Sequence, residues 1–566
     1  MEHNSYWILG MILLPFIGGV AGFYLGKRRK RLRNQCMMLI MVAELMIQGA
    51  LFAWLSGYED KASLFLEWLP GIRVIFQFDR IRLFLCMLSG LVFCTVLLFM
   101  KESMRQEAGS NRFRLFLMCT YGMVLGTLLA GSMWVLVVCV SLSALFLYPM
   151  VAHRKDDVVV RNAGIYLYFL IAAIAITHIG LLLIHLHTNT PIRIENGLMT
   201  GWEGNSDPAV AGGLLLFVGC TMFSGLFPLQ LLVTRGSAYS IMEASALLSS
   251  MISRMGIYGL LILVASASSE NVLYGRILLP VSLLTIVWGL LIALTSTDIR
   301  KILMGVAVGM NGFEALSISC MVFGREDGVS VLWSSFLMIP VSGLSLAALY
   351  MVALEQVRAR KTYEIKGLIA SGKGNPVLGF SCLIACASIG GVPGTAGFLA
   401  HSTLYTVIRT QLGWRWLMVF YIVAWAFLLT AVGRIFMKLF VSRKEETLRL
   451  LTPEETIVAD EVVWVDMTKH PYLAGELMLV FFGLCQLVTG CFPVWSLHSL
   501  ADGVMLFFGG SAQMTLSSYY NKATCLACGI ASVLGILLYV NLVHGILLRA
   551  IRNKKNKQLQ ESMSED

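Results

Sequence analysis

Several ionisable side chains occur inside stretches of sequence that are otherwise apolar, and such groups can carry protons. The segment SIMEASALLSSMISRMGIYGLL contains Glu243 and Arg254 eleven positions apart, which is close to three helical turns. We therefore expect both on nearly one face of a helix, with Arg254 near its middle. A charged group in hydrocarbon costs about 2.5 to 3.5 kcal/mol on insertion scales, so each one needs a reason. For Arg254 that reason is either an ion pair between helices or a fixed positive charge beside a proton path.

Other candidates for a proton path share the same setting, an ionisable side chain within or at the edge of an apolar run. Glu314 falls well inside such a run, and a buried carboxyl is able to relay protons. Histidine titrates near neutral pH, which suits a proton carrier, although a lone histidine is often only a packing residue. The remaining candidates are His178 with His185 two turns away, His401, and Arg434 with Lys438 on adjacent turns. Lys438 is close enough to a helix end to extend its ammonium group to the lipid headgroups.

Two further groups of charges are expected to begin helices. Asp298, Arg300 and Lys301 occupy a very short turn between two apolar runs, and an aspartate is favoured at a helix N-terminus. Asp79 and Arg82 precede another apolar run and are expected to form a helix-start pair.

The elements that position these residues are membrane helices. Hydrophobic residues make up 57% of the 566 residues and charged residues only 13%, about half the charged fraction of a soluble domain. Apolar runs near the ~20 residues needed to cross a bilayer recur about fifteen times, without the period-2 alternation of barrel strands. The sequence predicts an all-α integral membrane protein with about 14 to 15 transmembrane helices. The first run lacks a basic region before it and a cleavage site after it, so we expect a retained helix.

Basic residues indicate the orientation of these helices. Clusters of lysine and arginine follow odd-numbered spans, at 27–33, 101–114, 153–161, 358–366 and 443–449 and in the C-terminal tail. The positive-inside rule then places these loops in the cytoplasm, the N-terminus outside and the C-terminus inside. This topology explains the net charge of +10, so no nucleic-acid partner is expected. The plasma membrane of a prokaryote is the expected location.

No cofactor or metal site is expected. Most of the thirteen cysteines lie in apolar runs, where cysteine behaves as a small hydrophobic residue. Cys525 and Cys528 form a CxxC motif without a second pair to complete a metal site. The chain also lacks a Rossmann glycine pattern and a Walker loop.

Glycine and proline interrupt two of the apolar spans. The seventh is broken at GLFPLQ around Pro228, and the twelfth at SIGGVPGTAGFLAH around Pro393. The glycines of the second break are Gly390, Gly391, Gly394 and Gly397. The breaks are five spans apart, and a repeated unit of five helices must insert in opposite orientations. Paired breaks indicate an inverted-repeat transporter, although glycine and proline are also common packing and kink residues in membrane helices.

These features divide the chain into five parts. We expect N-terminal transmembrane helices over 1–110, a first five-helix repeat over 111–265 and a second over 266–441. A polar cytoplasmic connection follows over 442–472, either an amphipathic surface helix or a solvated connector. C-terminal helices and a basic tail occupy 473–566.

Several motifs together resemble one family of membrane proteins. The chain has a proline-broken helix at Pro228, then SALLSSMISRMGIYGL, then the short turn and helix TDIRKILMGVAVGMNG. The broken helix ASIGGVPGTAGFLAH, the segment FQFDRIRLFL and the residues 366–368 fit as well. In these segments, from about Asp79 to His401, the chain resembles the antiporter-like subunits of respiratory complex I, of energy-converting membrane hydrogenases and of Mrp-type sodium/proton antiporters.

This resemblance implies a pair of inverted five-helix repeats, each with a half-channel, joined by charged residues along the membrane midplane. The chain departs from the family at those charges. The fifth-span glutamate corresponds to about Ser141, the eighth-span lysine to Arg254, and the twelfth-span lysine or glutamate to His401. The eleventh span, taken as 329–354, contains no ionisable residue. Since arginine does not release its proton at accessible pH, we expect a rewired proton route or none.

Three functions follow as alternatives. The first is an antiporter-like, proton-translocating and partly degenerate subunit of a complex I-like or hydrogenase complex, with other membrane subunits as partners and no redox site of its own. The second is a subunit of a multisubunit Mrp-type cation/proton antiporter, which moves protons and Na⁺. The third is a structural subunit that conducts nothing. Neighbouring subunits with nickel or iron-sulfur ligands would distinguish the first from the second.

Overall fold

The computed structural model describes most of the chain. The described residues are 6–55, 62–69, 72–105, 107–188, 192–195, 197–200, 207–267, 272–323, 328–441, 473–493, 504 and 520–541. The predicted cytoplasmic connection at 442–472 lies outside them, so its two alternatives stay open.

Helices account for nearly all of the described residues. The first part of the chain contains α1 (Tyr6–Arg28), α2 (Lys30–Trp54), α3 (Arg80–Ser103), α4 (Ser110–Leu128), α5 (Met133–Val151), α6 (Asp157–Thr188), α7 (Asp207–Ser224), α8 (Leu231–Tyr239), α9 (Met242–Leu247) and α10 (Ser253–Ala267). The second part contains α11 (Leu273–Thr295), α12 (Ile299–Phe323), α13 (Gly328–Arg360), α14 (Pro376–Ile389), α15 (Ala396–Val407), α16 (Arg415–Phe436), α17 (Leu473–Cys491) and α18 (Lys522–Asn541). Three π-helical segments extend neighbouring helices, at Leu248–Ile252, Ile408–Leu412 and Met437–Val441.

The predicted membrane fold is confirmed. Twelve helices in the described part of the chain are long and apolar enough to cross a membrane. Helix α4 and two pairs of shorter helices, α7 with α8 and α14 with α15, add three further crossings. The total agrees with the roughly fifteen crossings predicted from hydropathy. The protein is therefore a multi-pass membrane protein.

Both broken helices are present at the predicted positions. The first consists of α7 and α8, and the second of α14 and α15. Four crossings lie between the two broken helices: α9 with α10, then α11, α12 and α13. The broken helices are therefore five spans apart, as predicted. This order agrees with two inverted five-helix repeats, and the exact domain boundaries remain a prediction.

Two β-hairpins add extramembrane structure that the hydropathy pattern does not indicate. Strands β1 (Ala62–Leu69) and β2 (Ile72–Phe78) pair antiparallel, as do β3 (Arg193–Glu195) and β4 (Leu198–Thr200). The two hairpins meet at Gly131, whose N–H donates to Ile75 and whose carbonyl accepts from Ile194. They therefore cover the same end of the bundle, at the turn between α4 and α5.

The centre of the bundle consists of the helices that carry the candidate charges. In the apolar windows of α9 through α10, of α12 and of α13, respectively 100%, 94% and 94% of residues are buried. The corresponding values are 39% for α1, 33% for α6 and 28% for α18. Polar residues on the central helices must therefore find partners inside the protein, because neither water nor headgroups reach them.

Both predicted helix starts are confirmed. The Asp79 carboxylate accepts from the backbone N–H of Arg82 at 2.9 Å, and the Arg82 guanidinium lies 3.4 Å from it. Asp298 likewise accepts from the Arg300 N–H at 2.8 Å, directly before α12 begins.

The packing of Gly397 yields a test of the second broken helix. A Cβ atom there would collide with the backbone carbonyl of Ser388, because α15 lies directly against the end of α14. Gly433 on α16 has open space around its Cβ position. We expect Gly397→Ala to destabilise the folded protein by about 3 kcal/mol or more, at the upper end of overpacking costs, and Gly433→Ala to raise stability slightly through helix propensity. Thermal unfolding in detergent measures both, and equal stability of the two variants would contradict this packing.

Candidate functional site

The centre of the site is an ion pair between α10 and α12. The Arg254 Nη2 atom lies 3.6 Å from Glu314 Oε1, and the two side chains are only 1% and 0% exposed. Ser342 of α13 lies between them: its hydroxyl donates to Glu314 Oε1 at 2.5 Å and accepts from Arg254 Nε at 3.3 Å. The second carboxylate oxygen, Oε2, has no hydrogen-bond partner among the described residues. One face of Glu314 is therefore held by a cation and a hydroxyl, while the other is free to take a proton.

A π-helical segment positions Arg254. The segment Leu248–Ile252 directly precedes it, and such bulges shift the angular position of the residues that follow. The Arg254 Nη1 atom contacts the carbonyl of Ser249 and donates to the Ser253 hydroxyl at 2.8 Å. The local backbone of the bulge thus supplies acceptors that an undistorted helix would use internally.

The bulge also separates Arg254 from Glu243. Glu243 is 3% exposed, and its carboxylate accepts from the Ser103 hydroxyl of α3 at 2.5 Å. The two charged residues of the SIMEASALLSSMISRMGIYGLL segment therefore have partners on different helices, instead of forming one charged face.

Hydroxyl groups extend from the ion pair toward the junction of α8 and α9. Ser249, whose carbonyl contacts Arg254, shares hydroxyl hydrogen bonds with Tyr350 at 3.0 Å and with Ser237 at 2.9 Å. Ser245 donates to the Ser237 carbonyl at 2.8 Å and lies 2.8 Å from the Ser240 hydroxyl. Hydroxyls both donate and accept, so a proton can pass among Tyr350, Ser249 and Ser237 and between Ser245 and Ser240. The links to Arg254 and from Ser237 to Ser245 run through backbone carbonyls, which only accept.

A second run of hydroxyls leads from α12 toward the second broken helix. The Ser335 hydroxyl donates to Ser317 at 2.8 Å, and Ser317 in turn donates to Ser334 at 3.2 Å. Ser334 donates to the carbonyl of Ala400 at 3.4 Å. Ser317 is one turn from Glu314 on α12, so this run joins the neighbourhood of the ion pair to the residue before His401.

His401 is fully enclosed by aromatic rings and hydrogen bonds. Its exposed fraction is 1%, its ring stacks on Trp425, and the Phe313 ring meets it edge-on. Nε2 lies 3.2 Å from the Ile389 carbonyl and Nδ1 lies 2.8 Å from the Tyr421 hydroxyl. A carbonyl only accepts, so Nε2 carries the hydrogen and Nδ1 accepts from Tyr421. Its neighbour Phe313 directly precedes Glu314.

The two breaks leave backbone N–H and C=O groups without partners in their own helices, and other helices supply the missing hydrogen bonds. At the first break the Phe227 N–H donates to the Thr285 hydroxyl of α11 at 2.9 Å. The side-chain amide of Asn311 on α12 donates to the Ser224 carbonyl at 2.6 Å. Pro228 sits in this turn, after a cis peptide bond.

At the second break the partners come from α16, from α18 and from Tyr520, which precedes α18. Trp425 Nε1 donates to the Gly390 carbonyl at 2.7 Å, and the Cys528 thiol of α18 donates to the Gly391 carbonyl at 3.5 Å. The Gly394 N–H donates to the Tyr520 hydroxyl at 3.2 Å. Gly391 and Gly394 have φ values of +63° and +90°, which favour glycine, and they flank the turn that contains Pro393.

Other predicted candidates lie apart from the ion pair. His178 and His185 both lie beside Trp134, on the partly exposed face of α6, and His178 Nδ1 lies 2.7 Å from the Ile174 carbonyl. Arg434 donates to the carbonyls of Leu294 at 2.6 Å and Ser296 at 3.0 Å, which neutralises the C-terminal end of α11. Lys438, in the π segment after α16, is within electrostatic range of Arg434.

The structure adds buried polar residues that the sequence did not single out. Helix α13 continues beyond 354 to Arg360, which brings Glu355 into the eleventh crossing with 6% exposure. Glu44 on α2 is fully buried and accepts from the Gln48 amide at 3.0 Å. Ser141, at the position of the family's fifth-span glutamate, is buried with no hydrogen-bond partner for its hydroxyl among the described residues. The sequence did contain a signal for Glu44, because this acidic residue lies within the apolar run MVAELMIQG.

The comparison with known proteins agrees with this architecture. Residues 130–428 match the family described as the transmembrane region of NADH:quinone oxidoreductase and Mrp antiporter proteins. The chain belongs to this family. The match includes both broken helices, Arg254, Glu314 and His401.

Curated relatives come from several complexes. The chain is 25% identical over 365 residues to hydrogenase-4 component B of Escherichia coli, an alignment that covers 59% of this chain and 52% of that protein. It is 27% identical to NADH-quinone oxidoreductase subunit N 2 of Syntrophobacter fumaroxidans, covering 56% and 66%. It is 22% identical to an Na(+)/H(+) antiporter subunit of Bacillus subtilis, covering 49% and 55%. The chain thus spans only about half to two thirds of these proteins.

Solved structures extend the similarity of fold beyond the family match. A chain of the Mrp complex from a Dietzia species superposes with a TM-score of 0.77 at 15% identity, covering 99% of this chain and 60% of that one. A chain of an archaeal membrane-bound sulfane sulfur reductase superposes with a TM-score of 0.75 at 15% identity, covering 93% and 100%. At such identity these structures establish the fold alone.

The ion pair allows a test by a double-mutant cycle. Removing one partner leaves an unpaired charge inside the bundle, so we expect Arg254→Gln and Glu314→Gln each to destabilise the protein by about 3 to 5 kcal/mol. The double variant should lose less than the sum, because neither charge remains. Arg193 and Glu195 supply a control, since they are also 3.6 Å apart but 37% and 49% exposed; their coupling should stay below about 1 kcal/mol. Additive effects at the buried pair, measured by denaturant unfolding in detergent, would contradict direct coupling.

Proposed function

We propose that this chain is a proton-translocating, antiporter-like subunit of a redox-driven membrane complex related to complex I or energy-converting hydrogenases. The observation that carries the proposal is Glu314, a buried carboxylate with Arg254 and Ser342 on one oxygen and no partner among the described residues on the other. The protein would lie in a prokaryotic plasma membrane, with its N-terminus outside and its C-terminus in the cytoplasm.

The proposed mechanism uses Arg254 as a fixed charge. Its guanidinium stays protonated, so the titrating partner of the pair is Glu314. While Glu314 is ionised, the ion pair is complete. When a proton reaches Oε2, the pair loses its attraction and Arg254 is left as an uncompensated cation that repels further protons. Release of the proton restores the pair, so each transfer returns the site to the same state.

The hydroxyl runs would supply parts of the two connections that transport needs, with proton carriers required between the hydroxyls that backbone carbonyls separate. The Ser249, Ser237 and Ser245 run leads to the α8–α9 junction, which the topology prediction places toward the cytoplasm. The Ser317 and Ser334 run leads toward His401 at the second broken helix. Nδ1 of His401, beside the Tyr421 hydroxyl, is the ring nitrogen that would receive and release a proton, because the Ile389 carbonyl on the Nε2 side only accepts.

Two features of the comparisons favour this setting over the alternatives. The relatives include a hydrogenase component and an NADH-quinone oxidoreductase subunit, and one fold neighbour belongs to a respiratory membrane complex. The runner-up remains a subunit of an Mrp-type cation/proton antiporter, supported by similarity to the Bacillus subtilis antiporter protein and to the Mrp complex. A structural role without conduction is the third alternative, consistent with the loss of the family's lysine at Arg254.

Proton uptake by vesicles tests the mechanism. We expect Glu314→Gln to lower the rate of substrate-driven acidification about 100-fold, the low end of what a positioned proton-transfer group contributes. His401→Ala should lower it as well, because the run ends beside that ring. The matched controls are Glu364→Gln, an exposed carboxylate, and His187→Ala, an exposed histidine. Normal acidification by the His401 variant would remove this residue from the path.

Gentle purification from the native membrane tests the assembly. Mass spectrometry of copurifying proteins should identify subunits with iron-sulfur or nickel ligands. Copurification with other helical membrane subunits alone would instead support the cation/proton antiporter.

A further inference from the structure

A second buried acid lies outside residues 130–428, the region that matches the family. Glu44 is in the middle of α2, and its side chain and that of Gln48, one turn later, are both 0% exposed. Tyr121 of α4, also 0% exposed, completes the group. Most of the surface of α2 is exposed, since only 28% of its apolar window is buried. Glu44 and Gln48 therefore lie on the one face of α2 that packs against the rest of the protein.

The side-chain amide of Gln48 holds this group together. Its nitrogen Nε2 donates to Glu44 Oε1 at 3.0 Å and to the Tyr121 hydroxyl at 3.1 Å. Two other oxygens, Glu44 Oε2 and Gln48 Oε1, are buried without a hydrogen-bond partner among the described residues. Buried acceptors in native proteins are nearly always hydrogen-bonded. The group therefore lacks a donor hydrogen.

Helix α3 leaves room for the group because it has a glycine, Gly90, at the point of contact. A Cβ atom there would lie 2.7 Å from the Tyr121 hydroxyl oxygen, 2.8 Å from Leu45 Cδ2 and 3.5 Å from Gln48 Oε1. The Phe93 ring, about one turn further along α3, packs on the Tyr121 ring with 5.0 Å between the centroids. The open oxygen of Gln48 is thus covered by α3 instead of facing lipid.

No side-chain cation balances the Glu44 carboxylate. Among the described residues, no lysine, arginine or histidine lies within ion-pair distance of it. Helix α1 has no charged residue before Lys27, and α4 has none after Arg114. Helix α3 has none between Arg82 and Lys101. An isolated ionised carboxylate is strongly disfavoured away from water, so Glu44 must bind a proton or a metal cation.

A proton fits this group better than a metal cation does. Glu44 Oε1 and the Tyr121 hydroxyl oxygen already face N–H hydrogens of Gln48, which repel a metal ion. Only two oxygens stay open, whereas Mg²⁺ and Ca²⁺ take six or more ligands. A proton on Glu44 Oε2 turns that acceptor into a donor, and Gln48 Oε1 is an open acceptor in the same group. The other titratable groups that face it are the thiols of Cys86 and Cys94 on α3, which are neutral when protonated.

We propose that Glu44 is a proton-binding site whose protonated carboxyl group pairs with the Gln48 amide through two hydrogen bonds. Gln48 Nε2 donates to Glu44 Oε1, and the O–H group formed at Glu44 Oε2 donates to Gln48 Oε1. A hydronium ion supplies the proton, so one O–H bond breaks in hydronium and one forms at the carboxyl group. The site is separate from the Arg254–Glu314 pair and does not depend on the proposed function.

Infrared spectroscopy of the protein purified from its native membrane tests the proposal. An ordinary glutamate is ionised at about pH 7, so a protonated Glu44 gives a carboxylic-acid C=O band at this pH that Glu44→Gln lacks. Glutamine keeps the size of the side chain and is neutral, so we expect this variant to assemble. Glu364→Gln, which removes an exposed carboxylate, should leave the band unchanged.

A second variant tests the pairing with the amide. Gln48→Met keeps the Glu44 carboxyl group but removes both of its proposed hydrogen-bond partners. Hydrogen bonds to a carboxylic acid weaken its C=O bond, so the band should move to a higher frequency in this variant. Gly49→Ala is the matched control, because it changes the next residue of α2, where nothing lies near the Cβ position. Its band should stay at the wild-type frequency.

Two results would overturn the proposal. One is a difference between the wild type and Glu44→Gln that consists of carboxylate bands, which would mean that Glu44 is ionised. If Glu44→Gln does not assemble, an unshifted band in Gln48→Met has the same meaning. The other is replacement of the band by carboxylate bands when Na⁺ is added at constant pH, which would make a metal cation the occupant. The spectra need no turnover, so failure of the protein to acidify vesicles would count against the proposed function alone.

Discussion

The hydrocarbon core contains no water, so every polar group placed there must find its partner within the protein. This constraint explains why the broken helices occur in the interior of the bundle. The carbonyls and N–H groups released by the turns around Pro228 and Pro393 are taken up by side chains of other helices. Thr285 and Asn311 serve the first break, and Trp425, Cys528 and Tyr520 serve the second. The C-terminal helix α18 thus completes a turn more than a hundred residues earlier in the chain.

The same constraint shapes the charged centre. Arg254 is a permanent cation, and the structure surrounds it with a carboxylate, a hydroxyl and the carbonyl of a π bulge. A fixed charge of this kind holds Glu314 in place, and it also means that the change of charge must occur at carboxyl or imidazole groups.

The chain has the fold of its family although it lacks some of the charged residues that the resemblance leads one to expect at the membrane midplane. The fold persists because it depends on apolar packing and on the paired breaks, and these are present. Individual midplane charges are easier to replace, since each depends on only a few neighbours. At Ser141 a short hydroxyl side chain stands in the fifth crossing, and the buried acid of the ion pair, Glu314, lies instead on α12.

The sequence alone determined the membrane class, the approximate number of crossings, both breaks and the residues that begin α3 and α12. These properties follow from local composition and periodicity, because the bilayer imposes the length and polarity of each span. The partners of the charged residues were decided by tertiary structure. Glu243 and Arg254 lie on one segment, yet a five-residue π bulge and the packing of α3 and α12 direct them to different partners. The hydrogen bond from the Asn375 amide to Glu476 likewise joins residues more than a hundred positions apart. A hydropathy profile cannot predict such contacts, because they depend on which helix faces pack against each other.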